Sequence, residues 1–289
     1  MYHDTLGDFL RTGSGLLSKG PVALIFAEDE IELGSTLGHH LAAGFGLVLA
    51  FLPDGIDLPD AFTQQVHAIR FDTRADDAVT GAVNAVAAAA PARTWIYYGY
   101  NAEYLFHPFA ESRSLSEMLA FHTEERRDAV FCTVVDLYAA DLGAAPTGVS
   151  VSAAMFDGAG YYALSRWDEE TGAELERQVD LFGGLKWRFE EHIPWARRRI
   201  DRIALFRAEP GVRLLPDHRL SVEEGNTYAC PWHNNLTAAV ASFRTAKALR
   251  RNPASRHAVQ SFAWPRSVRF DWTAQQLMDA GLMEPGQWF

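Results

Sequence analysis

Three short stretches carry side chains able to do chemistry. Glu28-Asp29-Glu30 stands directly after an apolar run. A carboxylate there suits a ribose hydroxyl or a base N–H; the same acids equally suit the start of a helix, whose dipole favours negative charge. Asn101-Ala102-Glu103 sets an amide and a carboxylate on one turn. Hard divalent cations take oxygen ligands, so this pair offers half a shell for Mg²⁺ or Mn²⁺; the plainer reading is a polar turn with a local cap. Asp217-His218 follows an apolar segment, and an imidazole there suits a metal or a phosphate as well as ordinary packing.

A second group is basic or aromatic. Gly183-Gly184-Leu185-Lys186-Trp187-Arg188 joins two glycines to two cations and an indole. Close backbone approach, positive charge and a flat apolar face suit a sugar or phosphate, and a turn leading to a surface helix through Glu190 and His192 fits as well. Arg197-Arg198-Arg199 reads as a solvated basic face. Cys230-x-x-His233 is half of a zinc pattern without a partner pair, so structural zinc is not expected. Asp136, near the end of a strongly apolar run, and Glu190 or Glu191 are the carboxylates placed to act as a general base. The chain has no G-x-S-x-G elbow, P-loop, G-x-G-x-x-G after the first strand, or H-E-x-x-H, which removes the obvious hydrolase, P-loop, dinucleotide and metalloprotease readings.

The elements that must position these residues read as alternating strands and helices. Strands are expected at Pro21–Ala27, Leu47–Leu52, His67–Phe71, Thr94–Tyr98 (stopped by Gly99) and Ala129–Tyr138, with a strand ending at Phe206 and a companion over 213–220. Helices are expected at 31–43, closed by Gly44, at 75–90 with Asp76 and Asp77 in its first turn, at 114–127 and at 235–251. Residues 140–160 read as loop, and the aromatic tail from Phe262 as a surface wrap. The alternation implies right-handed crossovers and a mainly parallel sheet. The expected organisation is a lead-in over 1–20, one α/β domain over 21–225, and a C-terminal helix and tail over 226–289.

With 289 residues the chain can bury a full core, and 48% hydrophobic with 22% charged residues is an ordinary globular balance. A net charge of −11 argues against binding a nucleic-acid backbone. Two cysteines make no disulfide framework, the N-terminus lacks a basic leader, and no apolar run reaches bilayer length; a cytoplasmic protein without a transmembrane segment is expected. The aromatic tail with the 235–251 segment offers a candidate homo-oligomer surface.

The layout resembles the family 2-like glycosyltransferases of GT-A type, particularly short bacterial members. Their first strand ends in a motif holding an acid that contacts the nucleotide, and Glu28-Asp29-Glu30 takes that place here. Their fourth strand leads into Asp-x-Asp, often continued Glu-Phe-Leu. Here Asn101-Ala102-Glu103-Tyr104-Leu105 departs from it: either Asn101 and Glu103 stand for the two aspartates, or Glu103 begins the Glu-Phe-Leu part and both aspartates are lost, as Tyr100 and Ala102. A late His near the metal or diphosphate matches His218. The resemblance implies a GT-A-like (Rossmann-like) fold and transfer of a sugar from a nucleoside-diphosphate donor to a glycan or other hydroxyl acceptor. Glu28, Asp29, Glu30, Lys186 and Arg188 would bind the nucleotide. Asn101, Glu103 and His218 would hold a divalent metal, and Asp136, Glu190 or Glu191 would serve as base. A scaffold that binds a nucleotide, glycan or protein without transfer is the rival expectation.

Overall fold

The apolar runs Val22–Phe26, Leu47–Leu52 and Trp95–Tyr100 are covered on both faces, which is why each reads as a nearly unbroken hydrophobic string rather than an alternating one. The computed structural model describes residues 1–168 and 170–289. Its strands are β1 (Tyr2–His3), β2 (Val22–Phe26), β3 (Leu47–Leu52), β4 (Val66–Arg70), β5 (Trp95–Tyr100), β6 (Glu103–Phe106), β7 (Ala129–Ala139), β8 (Ala154–Asp157), β9 (Tyr162–Trp167), β10 (Glu174–Phe182), β11 (Asp201–Arg207), β12 (Ala238–Ser242) and β13 (Ser267–Arg269). Its α-helices are α1 (Leu6–Thr12), α2 (Leu33–Ala42), α3 (Ala78–Ala89), α4 (Leu115–Glu124), α5 (Gly184–Arg188), α6 (Arg244–Arg251) and α7 (Ala274–Asp279). The class is α/β, with a mixed, mostly parallel sheet flanked by helices. No helix among the described residues is long and apolar enough to cross a membrane.

Two units share the chain: Met1–Tyr104 with Arg113–Val130 and Ile203–Asn226, and Leu105–Ser112 with Phe131–Arg202 and Thr227–Phe289. In the first, strands run in the order β1-β4-β3-β2-β5-β11, parallel throughout except for β11, which lies antiparallel to β5. Phe26 and Phe51 stack across neighbouring strands at 4.4 Å in the core of this sheet. Gly44, at φ 94°, stands just past the end of α2 and lets the chain leave the helix as expected. Ser114 and Glu117 form a reciprocal capping box at the start of α4.

In the second unit β7 pairs with β12 in parallel and with β8 antiparallel, β13 extends β8, and β9 and β10 form a separate antiparallel ribbon. Tyr138, Leu185, Leu249, Val259 and Phe262 form a buried cluster beside them.

Several expectations need correction. The segment 235–251 is not one helix: Ala238–Ser242 is strand β12, and only Arg244–Arg251 is helical. Alanine favours a helix locally, but these residues are buried on both faces and bond in register with β7, and that pairing wins. Gly99 does not end β5; the strand continues to Tyr100. A Cβ at Gly99 would lie 2.5 Å from the Tyr97 hydroxyl, so the glycine leaves room for that ring to fold along the strand. Residues 213–220 form a tight turn closed by a single Leu214–Leu220 bridge, not a second strand. The 140–160 stretch contains β8, and Asp77 precedes α3 in a left-handed conformation instead of sitting in its first turn. The ribbon β9–β10 has no counterpart among the expected strands, because its mixed polar sequence carries no core-facing pattern.

One buried base makes the first unit sensitive to pH. Burial, reinforced by the nearby Arg127 charge, pushes His122 from 6.5 down to about 4. Between those values the unfolded chain takes up a proton that the folded one refuses. The His122 contribution is therefore full above pH 6.5 and is lost as the pH drops towards 4, by about 3 kcal/mol at 1.36 kcal/mol per pH unit. His122→Phe is expected to gain thermal midpoint relative to wild type as the pH falls from 6.5 to 4. Parallel wild-type and variant curves would assign the effect elsewhere.

Candidate functional site

The first unit gathers polar groups at the carboxyl rim of its parallel strands. Asn101, fully buried just past β5, is the link between them. Its Oδ1 accepts from the Glu28 backbone N–H at 2.8 Å, and its Nδ2 donates to Asp29 Oδ1 at 2.7 Å and to the Ile31 carbonyl at 2.8 Å. Its own N–H donates to the Phe26 carbonyl at 3.1 Å. Asp29 Oδ1 also takes the Ile31 N–H at 2.9 Å. One amide thereby holds the ends of β2 and β5 in fixed relation. An aspartate at 101 would lose both Nδ2 donations and set a second carboxylate against Asp29, which explains an amide here.

Two further residues, outside the expected set, complete this rim. Thr73 donates to the Ala27 carbonyl at 2.7 Å, and the exposed Arg74 donates to the Glu28 carbonyl at 3.2 Å. The signal for them is Phe71-Asp72-Thr73-Arg74 directly after β4, the same position relative to its strand as the acids after β2. Glu28 is half-buried and Glu30 exposed. None of the three acids caps α2 by a side chain: that helix begins after Glu32, at φ 54°, without a side-chain cap bond.

The residues expected to hold a metal have separate roles. Glu103 is buried, and its Oε2 accepts the Tyr100 N–H at 3.0 Å across a turn whose Ala102 has φ 61°. His218, at φ 65°, stacks on Tyr98 with ring centroids 5.9 Å apart, and its Nδ1 shares a 3.0 Å hydrogen bond with the Tyr98 hydroxyl. No group of three His, Cys, Asp or Glu side chains suited to a metal occurs among the described residues. An amide whose oxygen is already engaged and a carboxylate capping the backbone are a poor donor set for a divalent cation. A cleft of about 570 Å³ lies elsewhere in this unit, between α3 and the loop 208–213. Alanine is the commonest residue in its walls, and its Asn84 side chain is tied both ways to the Leu214 backbone at 2.8 and 2.9 Å.

In the second unit the structure brings Asp136, Lys186 and Arg188 into one neighbourhood. Asp136 pairs in register with Ser242 and is buried. Its Oδ2 accepts the Lys186 N–H at 3.3 Å, and its Oδ1 is buried without a hydrogen-bond partner. Burial raises Asp136 from 3.8 to about 6, opposed by the Lys186 charge and by a Thr245 hydrogen bond. The Gly183-Gly184 turn makes this approach possible. A Cβ on Gly184, at φ 62°, would lie 2.9 Å from Asp136 Oδ2, and one on Gly183 would lie 2.3 Å from the Tyr161 ring. The Tyr161 hydroxyl is likewise buried and unpartnered, and burial, with the Asp157 and Asp136 charges, pushes its pKa well up.

Arg188 does not face solvent as a phosphate ligand would. Its Nε donates to buried Asp157 Oδ2 at 2.8 Å and its guanidinium to the Phe262 carbonyl at 2.7 Å. Asp157 Oδ1 takes the Tyr138 hydroxyl at 2.5 Å and the Trp264 indole N–H at 2.8 Å. The Lys186 ammonium donates to the Arg199 carbonyl at 2.7 Å. Glu190 and Glu191 stand exposed on a short turn, bridged to Arg198 at 2.8 Å and to His192 at 3.7 Å respectively. Of the three expected bases, Asp136 alone has the environment of one: a buried carboxylate poised near neutrality beside an unpaired phenol.

Comparison with protein-family models, with curated proteins and with solved structures returns no match.

Two substitutions separate function from architecture here. Above about pH 6 the folded protein carries an ionised Asp136 at a cost, since its raised pKa favours the protonated form. Asp136→Asn is therefore expected to raise the thermal midpoint at pH 8. The gain is about 3 kcal/mol, at 1.36 kcal/mol for each pH unit between 3.8 and about 6, and it vanishes below pH 4. Arg188→Ala leaves Asp157 buried without its cation and is expected to cost about 3–5 kcal/mol. A folded Arg188→Ala protein of wild-type midpoint would return Arg188 to the ligand-binding residues.

Proposed function

We propose that the protein is a glycosyltransferase that moves a sugar from a nucleoside-diphosphate donor to a hydroxyl acceptor, on a GT-A-like scaffold. The observation that carries this reading is the rim held by Asn101: Asp29, the Glu28 backbone and the Arg74 guanidinium converge past the carboxyl ends of the parallel strands β2, β4 and β5, where open α/β sheets take nucleotides. Asp29 and Glu28 would meet the base or ribose, and Arg74 would offset the diphosphate charge. Within its own unit Asp136 is the carboxylate suited to be a base, since a carboxylate near pKa 6 can accept a proton and is ionised at neutral pH. No step is routed through a metal, because the donor set at Asn101, Glu103 and His218 does not suit one.

The engaged amide at 101 also favours the second reading, a scaffold that binds nucleotide without transferring sugar. Turnover distinguishes the two. A thermal-shift panel of nucleoside diphosphates is expected to yield at least one stabilising ligand, equally well in EDTA and in Mn²⁺. Arg74→Ala should weaken that ligand about tenfold, the scale of one charge-assisted contact, without moving the unliganded midpoint. Loss of donor turnover in Asp136→Asn with nucleotide affinity intact would assign Asp136 as the base. Nucleotide binding without turnover in the wild type would select the non-catalytic reading, and no binding by any nucleoside diphosphate at millimolar concentration would end both.

A further inference from the structure

We propose that His3 and His67 form a proton-counting latch, which holds strand β1 on the edge of the first unit's sheet and releases it once both imidazoles are charged. The strand is short: Tyr2 and His3 pair in parallel with Ala68 and Ile69 of β4. The histidines add a side-chain bond to that pairing. His3 Nε2 and His67 Nδ1 lie 3.2 Å apart, with ring centres at 5.5 Å and planes 19° from parallel. The two separations differ by about 2.3 Å, close to twice the reach of an imidazole nitrogen from its own ring centre, so the nitrogens point head-on at each other. Phe9 packs across both rings, at 5.2 and 6.2 Å.

Such a bond counts protons. With both rings neutral, one nitrogen donates and the other accepts; with one extra proton, a charged ring donates to a neutral one and the bond strengthens. A second proton sets N–H against N–H and two like charges at hydrogen-bond distance, which drives the rings apart. The surroundings fix the order of loading. Asp4 and Asp8 face His3 and favour a proton there, against burial and the Met1 ammonium. His67 is buried, and the charges facing it are His3 itself, the Met1 ammonium and Lys19. The second, releasing proton therefore falls on His67. Burial is the leading cause that holds both imidazoles below the ordinary 6.5, so the latch is whole above that value and yields as the pH falls beneath it. Release uncovers the Ala68 N–H, bonded to the Met1 carbonyl at 2.8 Å, and the Leu58 N–H, bonded to the Tyr2 hydroxyl at 2.9 Å. Strand β4 then becomes the edge of the sheet.

Residue-resolved amide exchange on the full chain between pH 7.5 and 4.5, with imidazole protonation followed by NMR, tests the latch. The reference is the Ala27 N–H, which bonds to the Phe51 carbonyl in the sheet interior at 2.9 Å and reports any loosening of the whole unit, that of His122 included. Relative to it, protection of Ala68 and Leu58 is expected to fall about tenfold per pH unit once His67 begins to charge, the slope for one proton taken up on opening. In His67→Asn the side-chain oxygen takes the place of Nδ1, accepts from His3 and binds no proton, so both amides should stay protected across the range. Protection that holds level while both rings are charged would overturn the latch. So would a His67 that stays uncharged down to pH 4.5, a loss that Ala27 shares in full, or a loss undiminished in a folded His67→Asn chain.

Discussion

The arrangement of the first unit depends on one side-chain amide. Strand ends in a parallel sheet are held by ladder hydrogen bonds only up to their last paired residue, and beyond that point the loops need another restraint. Asn101 supplies it by accepting from one loop and donating twice into the same loop, so the segment after β2 cannot drift from the end of β5. Donor and acceptor on one planar group do what a carboxylate could not. This group is then poorly placed to ligate a cation.

The second unit uses the absence of side chains for a comparable end. At Gly183-Gly184 the chain passes so close to Asp136 and Tyr161 that a methyl group on either glycine would collide with them. The backbone that crowds Asp136 also shields it from water, and this burial lifts its proton affinity. Asp157 is equally buried yet differently placed, surrounded by a guanidinium, an indole and a phenol. Two neighbouring carboxylates thus have divergent tasks: one is anchored by donors, the other left short of them.

Much of the architecture is legible in the chain because apolar strings and breakers report burial directly. Leu47–Leu52 and the exit of α2 at Gly44 fall where the pattern puts them. The failures are informative. Alanine at 238, 239 and 241 has a helical preference that only distant pairing overrules, and pairing with the far earlier strand β7 is invisible locally. Gly99 looks like a breaker, although its role is to make space for a ring two residues before it. For the site, sequence alone can name the acids after β2 and Asn101, but not that they bond to each other, and it leaves Arg74 as ordinary surface. The His3–His67 pair is unreadable, since its members meet only through the register of β1 on β4.

The knot around Asp157 has a bearing on how this chain can be altered. Its donors come from β7, from α5 and from Trp264 in the C-terminal segment, so the last stretch of the sequence is wired into the interior by polar bonds as well as by Phe262 and Phe270. Truncation upstream of residue 264 would take the indole donor from Asp157 and leave it to Arg188 and Tyr138 alone. Phe289, by contrast, is 84% exposed, so a tag or fused module added after it meets solvent and no wiring.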